Sequence, residues 1–305
     1  MTDHAVAAAL ATEAGRRLLR LRADRGFADP RALKDAGDLD SHDYLVAELA
    51  ERRPGDAVLS EEGKDDAARL GADRVWIVDP LDGTREFGEE GRSDWAVHVA
   101  LWERGRLAAG AVALPAEGRT LTTTANGAAV LDVRTPGTAG SAETAGSAET
   151  SGSAETSGSA ETAGTGETTP LSIKQLVDTG RIRVAVSRSR PPAFLTPLAA
   201  HLGKRHVTME LVEIGSAGAK IAAVLLGRVD AYIHAGGQYE WDSAAPAAVA
   251  LAAGAHASRI DGAPLVYNQI NPELPDILVC HPGLAPTLLA GIRETHDHRT
   301  PEREP

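Results

Sequence analysis

The sequence predicts a layered sandwich of the α+β and α/β classes, built from two lobes, and three observations carry this prediction. The chain opens with two segments whose apolar residues recur at helical spacing. Strand-like runs joined by short turns follow, a pattern that is typical of an antiparallel sheet. In the second half, strand-like and helical segments alternate, which predicts a mixed or parallel sheet covered by helices.

Two helices are predicted to begin the first lobe. Residues 6–21 form an amphipathic pattern, and their interspersed arginines mark a solvent-exposed face. A polar loop over 34–38 is expected to precede a second helix over 41–53. Asp38 lies just before this helix, where it could act as a cap or as a catalytic acid.

An antiparallel meander is predicted after these helices. The apolar run 75–78 indicates a buried strand, which Pro80 should end because proline has no N–H to donate to a sheet. Two hairpins complete this sheet, and their strands are 96–102 with 107–114 and 120–124 with 128–133.

The second lobe is predicted to alternate strands with helices. Strands are expected at 182–186, 207–212 and 231–234. Helices are expected at 191–202, 217–226 and 243–253. The whole chain is therefore divided into an N-terminal lobe (1–136), an insert (137–170), a C-terminal lobe (171–293) and a disordered tail (294–305).

The insert is a six-residue repeat. Residues 139–168 repeat Ala-Gly-Ser-Ala-Glu-Thr with small changes and contain no large apolar side chain. Burial of apolar surface therefore cannot offset the entropy that ordering would cost, and we expect a flexible linker.

Composition limits the classes of function. The formal net charge of −12 over 305 residues argues against nucleic acid or an anionic membrane as partners. The one cysteine, Cys280, ends an apolar run and is expected to be an inert core residue. Because no internal disulfide is possible and no signal peptide or membrane segment is recognisable, we expect a cytoplasmic protein.

Acidic residues mark the end of the strand over 75–78. Asp79 and Asp82 would repel each other there unless a cation lay between them. Hard divalent cations with oxygen ligands, Mg²⁺ above all, fit this need, and a turn with two solvated acids is the alternative. Glu61 and Glu62 form a second acidic motif upstream.

A third acidic motif lies far downstream. Asp242 precedes a long helical stretch, where it could be an ordinary helix cap. The occurrence of all three motifs in this order favours one metal site over three unrelated turns.

These motifs resemble those of a known group of enzymes. The sequences Glu-Glu, Asp-Pro-Leu-Asp-Gly-Thr and Trp-Asp-x-Ala-Ala are similar to motifs of the Mg²⁺-dependent, lithium-sensitive phosphatase superfamily, which includes inositol monophosphatases. The resemblance covers nearly the whole chain except the insert, and it implies the inositol monophosphatase-like fold. Further features at 58–62, 186–190, 215–220 and 240–242 look most like the CysQ-type 3′(2′),5′-bisphosphate nucleotidases.

The resemblance implies metal-binding and catalytic roles for the matching residues. Glu61, Asp79 and the backbone carbonyl of Leu81 would hold one Mg²⁺ ion, and Asp79, Asp82 and Asp242 a second, with a third ion as a further expectation. Glu62 would help to order a water at the metals. Thr84, hydrogen-bonded to Asp38, would contact the attacking water.

It also implies a set of substrate contacts on both halves of the chain. These are Gly83, Thr84, Ser187, Arg188, Ser189, Gly215, Ser216, Lys220 and Asp242. From the residues alone, Arg188 and Lys220 could also be ordinary polar residues of loops. Tyr239 could stack on a base or be a packed loop residue.

The activity implied by this resemblance is hydrolysis of the 3′-phosphate of adenosine 3′,5′-bisphosphate to AMP and phosphate. The sulfated precursor of that nucleotide is a further substrate candidate, and inhibition by Li⁺ and a homodimer are expected from the family. The alternative is a phosphatase for inositol monophosphate or a sugar phosphate. A non-catalytic metal-binding regulator is disfavoured because every acidic ligand position is filled.

Overall fold

The computed structural model describes residues 1–133, 167–175, 179–189 and 191–296. Within these residues the chain forms a seven-stranded sheet, a five-stranded sheet and seven α-helices. Two long helices, α1 (Asp3–Arg25) and α2 (Pro30–Arg52), come first. The amphipathic helix expected over 6–21 is confirmed and extends further at both ends.

The polar loop expected over 34–38 is wrong, because this segment lies inside α2. The helix begins earlier than expected since Asp29 accepts the N–H of Ala32, and Pro30 suits the first helical position, where an N–H is not needed. Asp38 is therefore a residue of the helix interior and does not cap it.

The first sheet is a meander that follows the order of the chain. Its strands are β1 (Ala57–Ser60), β2 (Arg74–Asp82), β3 (Ala96–Glu103), β4 (Arg106–Leu114), β5 (Arg119–Thr124), β6 (Gly127–Asp132) and β7 (Thr168–Leu171). Only the β1–β2 pair is parallel, and both expected hairpins are confirmed. Arg104 and Gly105 join β3 to β4 with φ angles of 46° and 89°, as a two-residue hairpin turn requires.

Strand β2 continues past Pro80, so the expectation that proline ends this strand is wrong. Pairing with β1 stops at Val78, and pairing with β3 is irregular between Asp79 and Asp82. Pro80 thus lies in a bulge with a neighbouring strand on one side only, where the sheet tolerates a missing N–H.

The end of the insert expected over 137–170 is part of the first sheet. Residues 168–170 belong to β7, which pairs antiparallel with β6. The rest of the six-residue repeat, 139–166, lies outside the described residues except for Glu167, whose carbonyl oxygen accepts the N–H of Asp132.

The second sheet has the spatial order β11-β12-β10-β8-β9. Its strands are β8 (Arg181–Ser187), β9 (Thr208–Ile214), β10 (Ala231–Ala235), β11 (His256–Ser258) and β12 (Asp276–Cys280). Strand β8 is parallel to β9 and β10, whereas β12 is antiparallel to β10 and β11. The expectation of a mixed sheet is confirmed, and β11 and β12 are additions to the predicted strands.

The remaining helices are α3 (Thr84–Phe87), α4 (Leu195–Gly203), α5 (Ala217–Leu225), α6 (Glu240–Ala252) and α7 (Ala285–His296). Helix α4 begins four residues later than expected, after a turn in which the N–H of Leu195 donates to the carbonyl of Pro192. Helix α7 extends to residue 296, so the tail expected to be disordered from 294 starts too early. Residues 297–305 lie outside the described residues.

The elements stack in five layers that alternate helices with sheets, which confirms the predicted layered fold. Helices α1 and α2 cover one face of the first sheet, and their shared core includes Leu10, Leu45 and Trp76. Helices α5 and α6 lie between the two sheets, and α4 and α7 cover the outer face of the second. Cys280 is fully buried in this outer core, as expected. Within the described ranges, no helix is both long and apolar enough to cross a membrane.

Candidate active site

Three carboxyl groups converge where β2 meets α6. Asp79, Asp82 and Asp242 each offer a carboxylate oxygen, and these three oxygens lie within 4.8 Å of one another. In a regular strand, residues three apart point to opposite faces, so the irregularity in β2 lets both of its acids face the same side. Asp242 lies in the first turn of α6 and accepts the N–H of Tyr239 at 2.6 Å. It therefore stabilises the start of the helix while it faces the cluster.

Glu61 is a fourth acid beside this cluster. It directly follows β1, and its carboxyl group shares a hydrogen bond with that of Asp79. Much of the residue is exposed, but the carboxyl group lies among other acids in a poorly solvated position. Desolvation, together with the charge of Asp242, raises the pKa of Glu61 to about 7.

Burial and mutual repulsion also raise the pKa of two other acids. Burial and the charge of Glu61 raise the pKa of Asp79 well above its usual range. Burial and the charge of Asp82 raise the pKa of Asp242 to about 6. Acids that resist ionisation because they are buried together are the arrangement that a bound cation relieves.

Asp82 differs from these neighbours because its ionised form is stabilised. Burial alone would raise its pKa, but the His98 ring and backbone N–H groups lower it below the usual value. Its two oxygens accept the N–H groups of Ala217 at 3.2 Å and Gly218 at 2.7 Å. These groups belong to the first turn of α5, where the helix dipole favours negative charge.

The hydroxyl group of Thr84 lies at the start of α3, next to the end of β2. Its Oγ1 is 3.3 Å from Oδ1 of Asp38 and 3.0 Å from the carbonyl oxygen of Leu81, and it can donate to either. Burial and the charge of Glu62 raise the pKa of Asp38 to about 7. The structure thus brings the expected pair of Thr84 and Asp38 together across β2 and α2.

A polar cavity of about 270 Å³ opens beside Asp82 and Asp242. It is lined by every expected substrate contact: Gly83, Thr84, Ser187, Arg188, Ser189, Gly215, Ser216, Lys220 and Asp242. Glu61, Glu62, Asp38 and Asp79 lie outside this lining. A larger cavity of about 630 Å³ opens beside residues 173–175 and contains none of the expected site residues.

Arg188 joins two elements at the edge of the cavity. It directly follows β8, and its Nη1 donates to Glu86 at 2.8 Å and to Glu89 at 3.0 Å. Glu86 belongs to α3 and is buried, so this contact links the second sheet to the turn that carries Thr84. The guanidinium is thereby held in one orientation at the cavity wall.

Lys220 is buried within α5 and its ammonium group faces the same cavity. Its Nζ donates to the carbonyl oxygen of Gly215 at 2.5 Å and lies 5.3 Å from the centre of the Tyr232 ring. Burial lowers its pKa. Ser216 caps the helix by accepting the N–H of Ala219, which fixes the loop that carries these groups.

One residue of the site was missed by the sequence analysis. His98 is fully buried on β3, and its Nε2 lies 3.1 Å from Oδ2 of Asp82. A single polar residue within an otherwise apolar strand was the signal that could have drawn attention to it. Tyr239, which could have stacked on a base, lies outside the cavity lining and stacks on Trp241 with ring centres 4.8 Å apart.

The family of the chain follows from a comparison with known proteins. The model of the inositol monophosphatase family matches residues 2–296. The chain belongs to the inositol monophosphatase family. This confirms the resemblance that the acidic motifs suggested.

Relatives with established names extend the comparison. A "3′-phosphoadenosine 5′-phosphate phosphatase" from Mycobacterium leprae is 49% identical over 303 residues, which is 96% of this chain and 94% of the relative. The "3′(2′),5′-bisphosphate nucleotidase CysQ" of Escherichia coli K12 is 30% identical over 76% of this chain and 78% of its own length.

Solved structures of this family share the fold. CysQ from Bacteroides thetaiotaomicron is similar with a TM-score of 0.70 and 28% identity, over 91% of this chain and 96% of that one. Mycobacterium tuberculosis SuhB is similar with a TM-score of 0.68 and 26% identity, over 96% of both chains. The five-layer arrangement described above is therefore the fold of the family.

Proposed function

We propose that this chain is a Mg²⁺-dependent phosphatase that removes the 3′-phosphate of adenosine 3′,5′-bisphosphate, giving AMP and inorganic phosphate. The observation that carries the proposal is the convergence of Asp79, Asp82 and Asp242 beside a cavity whose wall also holds Arg188 and Lys220. Acids suit a metal that acts on one phosphate, and the two cations suit a second phosphate. The relatives named for this activity support the same substrate.

The donor set fits a pair of Mg²⁺ ions. All the candidate ligands are oxygens, namely the carboxylates of Glu61, Asp79, Asp82 and Asp242 and the carbonyl of Leu81, and hard cations prefer oxygen. The raised pKa values within this cluster indicate negative charge that the protein alone does not balance. When bound, the ions would act as Lewis acids toward the phosphate and make a water more nucleophilic.

Thr84 and Asp38 would orient the attacking water. If Asp38 accepts the hydroxyl proton of Thr84, a lone pair of Oγ1 is left to accept a hydrogen bond from the water. That hydrogen bond would direct an oxygen lone pair of the water toward phosphorus. Glu62, whose charge is felt by Asp38, would help to hold the same water.

The second phosphate of the substrate would bind to the far part of the cavity lining. Arg188 is held by two acids and keeps donors available on the rest of its planar fork. Ser187, Ser189, Gly215 and Ser216 add hydroxyl and backbone donors around it. A monophosphate such as inositol phosphate would leave these cations without a partner.

A panel of phosphate esters tests the proposed function. Phosphate release would be measured with Mg²⁺ from adenosine 3′,5′-bisphosphate, its 5′-phosphosulfate analogue, inositol 1-phosphate and fructose 1,6-bisphosphate, each with and without Li⁺. We expect the highest kcat/KM for the bisphosphate nucleotide and inhibition by Li⁺. A preference for inositol or sugar phosphate would contradict the proposal, and binding of the nucleotide without turnover would indicate a regulator. The expected homodimer stays a prediction that light scattering can check.

A further inference from the structure

We propose that His98 is a positioning residue that holds two metal ligands of different elements in place. The inference rests on the proposed function for the identity of the site, but its test measures cation binding and not hydrolysis. His98 lies on β3 directly opposite Asp79 in the register with β2, and its side chain is completely buried. Its ring lies behind the acidic cluster, away from the lining of the cavity.

Each nitrogen of the His98 ring faces a group that belongs to the metal site. Nε2 lies 3.1 Å from Oδ2 of Asp82. Nδ1 lies 3.1 Å from the carbonyl oxygen of Trp241, the residue before Asp242. One ring therefore connects the end of β2 with the first turn of α6, and these two elements carry ligands that repel each other.

The burial of Nε2 makes its contact with Asp82 important. Among the described residues, no acceptor is well aligned with this nitrogen. A buried polar group without a partner is costly, so the carboxylate at 3.1 Å is the group that can satisfy Nε2. The contact in turn restricts where Oδ2 of Asp82 can lie.

Helix α5 leaves room for the ring at a single position. A Cβ atom on Gly218 would lie 2.1 Å from Nε2 of His98, so any other residue there would displace the ring. Glycine inside a helix is unfavourable by about 1 kcal/mol relative to alanine, which indicates that the space is needed. The N–H of Gly218 donates to the same Oδ2 at 2.7 Å, so the ring and the helix hold this atom from two sides.

Two variants separate the two contacts of the ring. The amide nitrogen of glutamine reaches about as far as Nε2, whereas that of asparagine reaches about as far as Nδ1. His98→Gln therefore keeps a donor for Asp82, and His98→Asn keeps a donor for the carbonyl of Trp241 only. His256→Gln, on the edge strand β11, is the matched control.

The experiment measures binding of Mn²⁺ and Mg²⁺ to each purified full-length variant by calorimetry, without substrate, and its melting temperature without added cation. Partners of metal ligands typically change metal affinity by about 10- to 100-fold. We expect His98→Asn to weaken cation binding by that amount while its turnover recovers at high Mg²⁺, and His98→Gln to bind within about threefold of wild type. The control should match wild type.

Three outcomes would overturn the proposal. Equal cation affinity in both His98 variants and wild type would show that the contact does not position the ligands. Equal losses of melting temperature and affinity in both variants would show a structural role only. Absence of cation binding by the wild type would remove the site itself. By contrast, the expected pattern of cation binding together with no hydrolysis of the nucleotide would sustain this inference and contradict the proposed function.

Discussion

At the scale of single residues, Asp82 is the acid on which the electrostatics of the site depend. Burial and repulsion raise the pKa of Asp79 and Asp242, whereas Asp82 has its pKa lowered despite its burial. The cause is the His98 ring on one side and the N–H groups of α5 on the other. The cluster therefore has one ligand whose negative charge the protein itself stabilises.

Replacing this charge is expected to stop catalysis without unfolding the chain. Asp82→Asn keeps the shape of the side chain and one oxygen that can accept an N–H from α5, but it removes the negative charge. We expect kcat/KM for the bisphosphate nucleotide to fall about a thousand-fold, equivalent to about 4 kcal/mol of transition-state stabilisation. Circular dichroism checks the fold, and Asp261→Asn, at an exposed acid, is the control. Turnover close to that of wild type would refute the assignment of Asp82 as a ligand.

The hydroxyl group of Thr84 gives a second test at this scale. Thr84→Val keeps the volume of the side chain but removes the contacts with Asp38 and Leu81, whereas Thr84→Ser keeps the hydroxyl. We expect the valine variant to lose about 100-fold in kcat, since a positioned proton acceptor typically contributes at least this much, and the serine variant to stay within about tenfold of wild type. If the two variants were equally active, Thr84 would have no part in orienting the water.

The sequence could predict the acids of the site but not all the groups that hold them. Acidic motifs that match a family predicted Glu61, Asp79, Asp82 and Asp242, and three of these acids meet in space. His98 could not be predicted in the same way, because its contact with Asp82 depends on the register between β2 and β3. A register shift of one residue would turn the ring to the opposite face of the sheet.

At the scale of elements, α2 shows why helical spacing alone was not enough. Its buried residues recur every four positions and form one face against the first sheet: Leu33, Gly37, Ser41, Leu45 and Leu49. Gly37 and Ser41 are not apolar, so the pattern was recognised only from residue 41 onward. The structure explains both residues. A Cβ on Gly37 would lie 2.7 Å from the Phe87 ring, and the hydroxyl of Ser41 donates to the carbonyl oxygen of Pro80 at 2.7 Å.

The end of β8 supports a test of the second phosphate site. Arg188→Ala removes charge-assisted hydrogen bonds, each typically about 1.5–3 kcal/mol, so we expect KM for adenosine 3′,5′-bisphosphate to rise at least about tenfold. Turnover of inositol 1-phosphate, which has no second phosphate, should change much less. Arg181→Ala, at an exposed arginine of the same strand, is the control. Melting temperature is needed as well, because the variant leaves the buried Glu86 without this partner.

Equal losses of Arg188→Ala on both substrates would contradict a second phosphate site at this arginine. Such a result would assign Arg188 to holding β8 against α3. It would leave the metal cluster unaffected, since Arg188 is not among the acids that converge there.

At the scale of the whole molecule, the two expected lobes share one central layer. Helices α5 and α6 pack on the first sheet and also on the second, and the core between the sheets includes Ile77, Ile221 and Val279. The alternation of strands and helices predicted each lobe separately, but it carries no information on which sheet covers which helix. The site uses this shared layer, because Asp82 comes from the first sheet and Asp242 from α6.

The last prediction concerns the six-residue repeat and follows from the way its two ends are held. Leu131 of β6 pairs with Thr168 of β7, and the N–H of Asp132 donates to the carbonyl of Glu167, so the chain leaves and re-enters the sheet at neighbouring points. Antiparallel neighbours can be joined by a turn of two residues such as Asn-Gly. Replacing residues 134–166 by this turn shortens the loop by about three to four halvings, and each halving lowers the entropic cost of closing it by about 0.6 kcal/mol. We therefore expect the shortened chain to be more stable by about 2 kcal/mol in urea unfolding, with unchanged kcat/KM, since the cavity lining includes no residue of this segment. A loss of stability would show that the repeat contributes to the folded state, and a loss of activity at unchanged stability would show that it acts on the site.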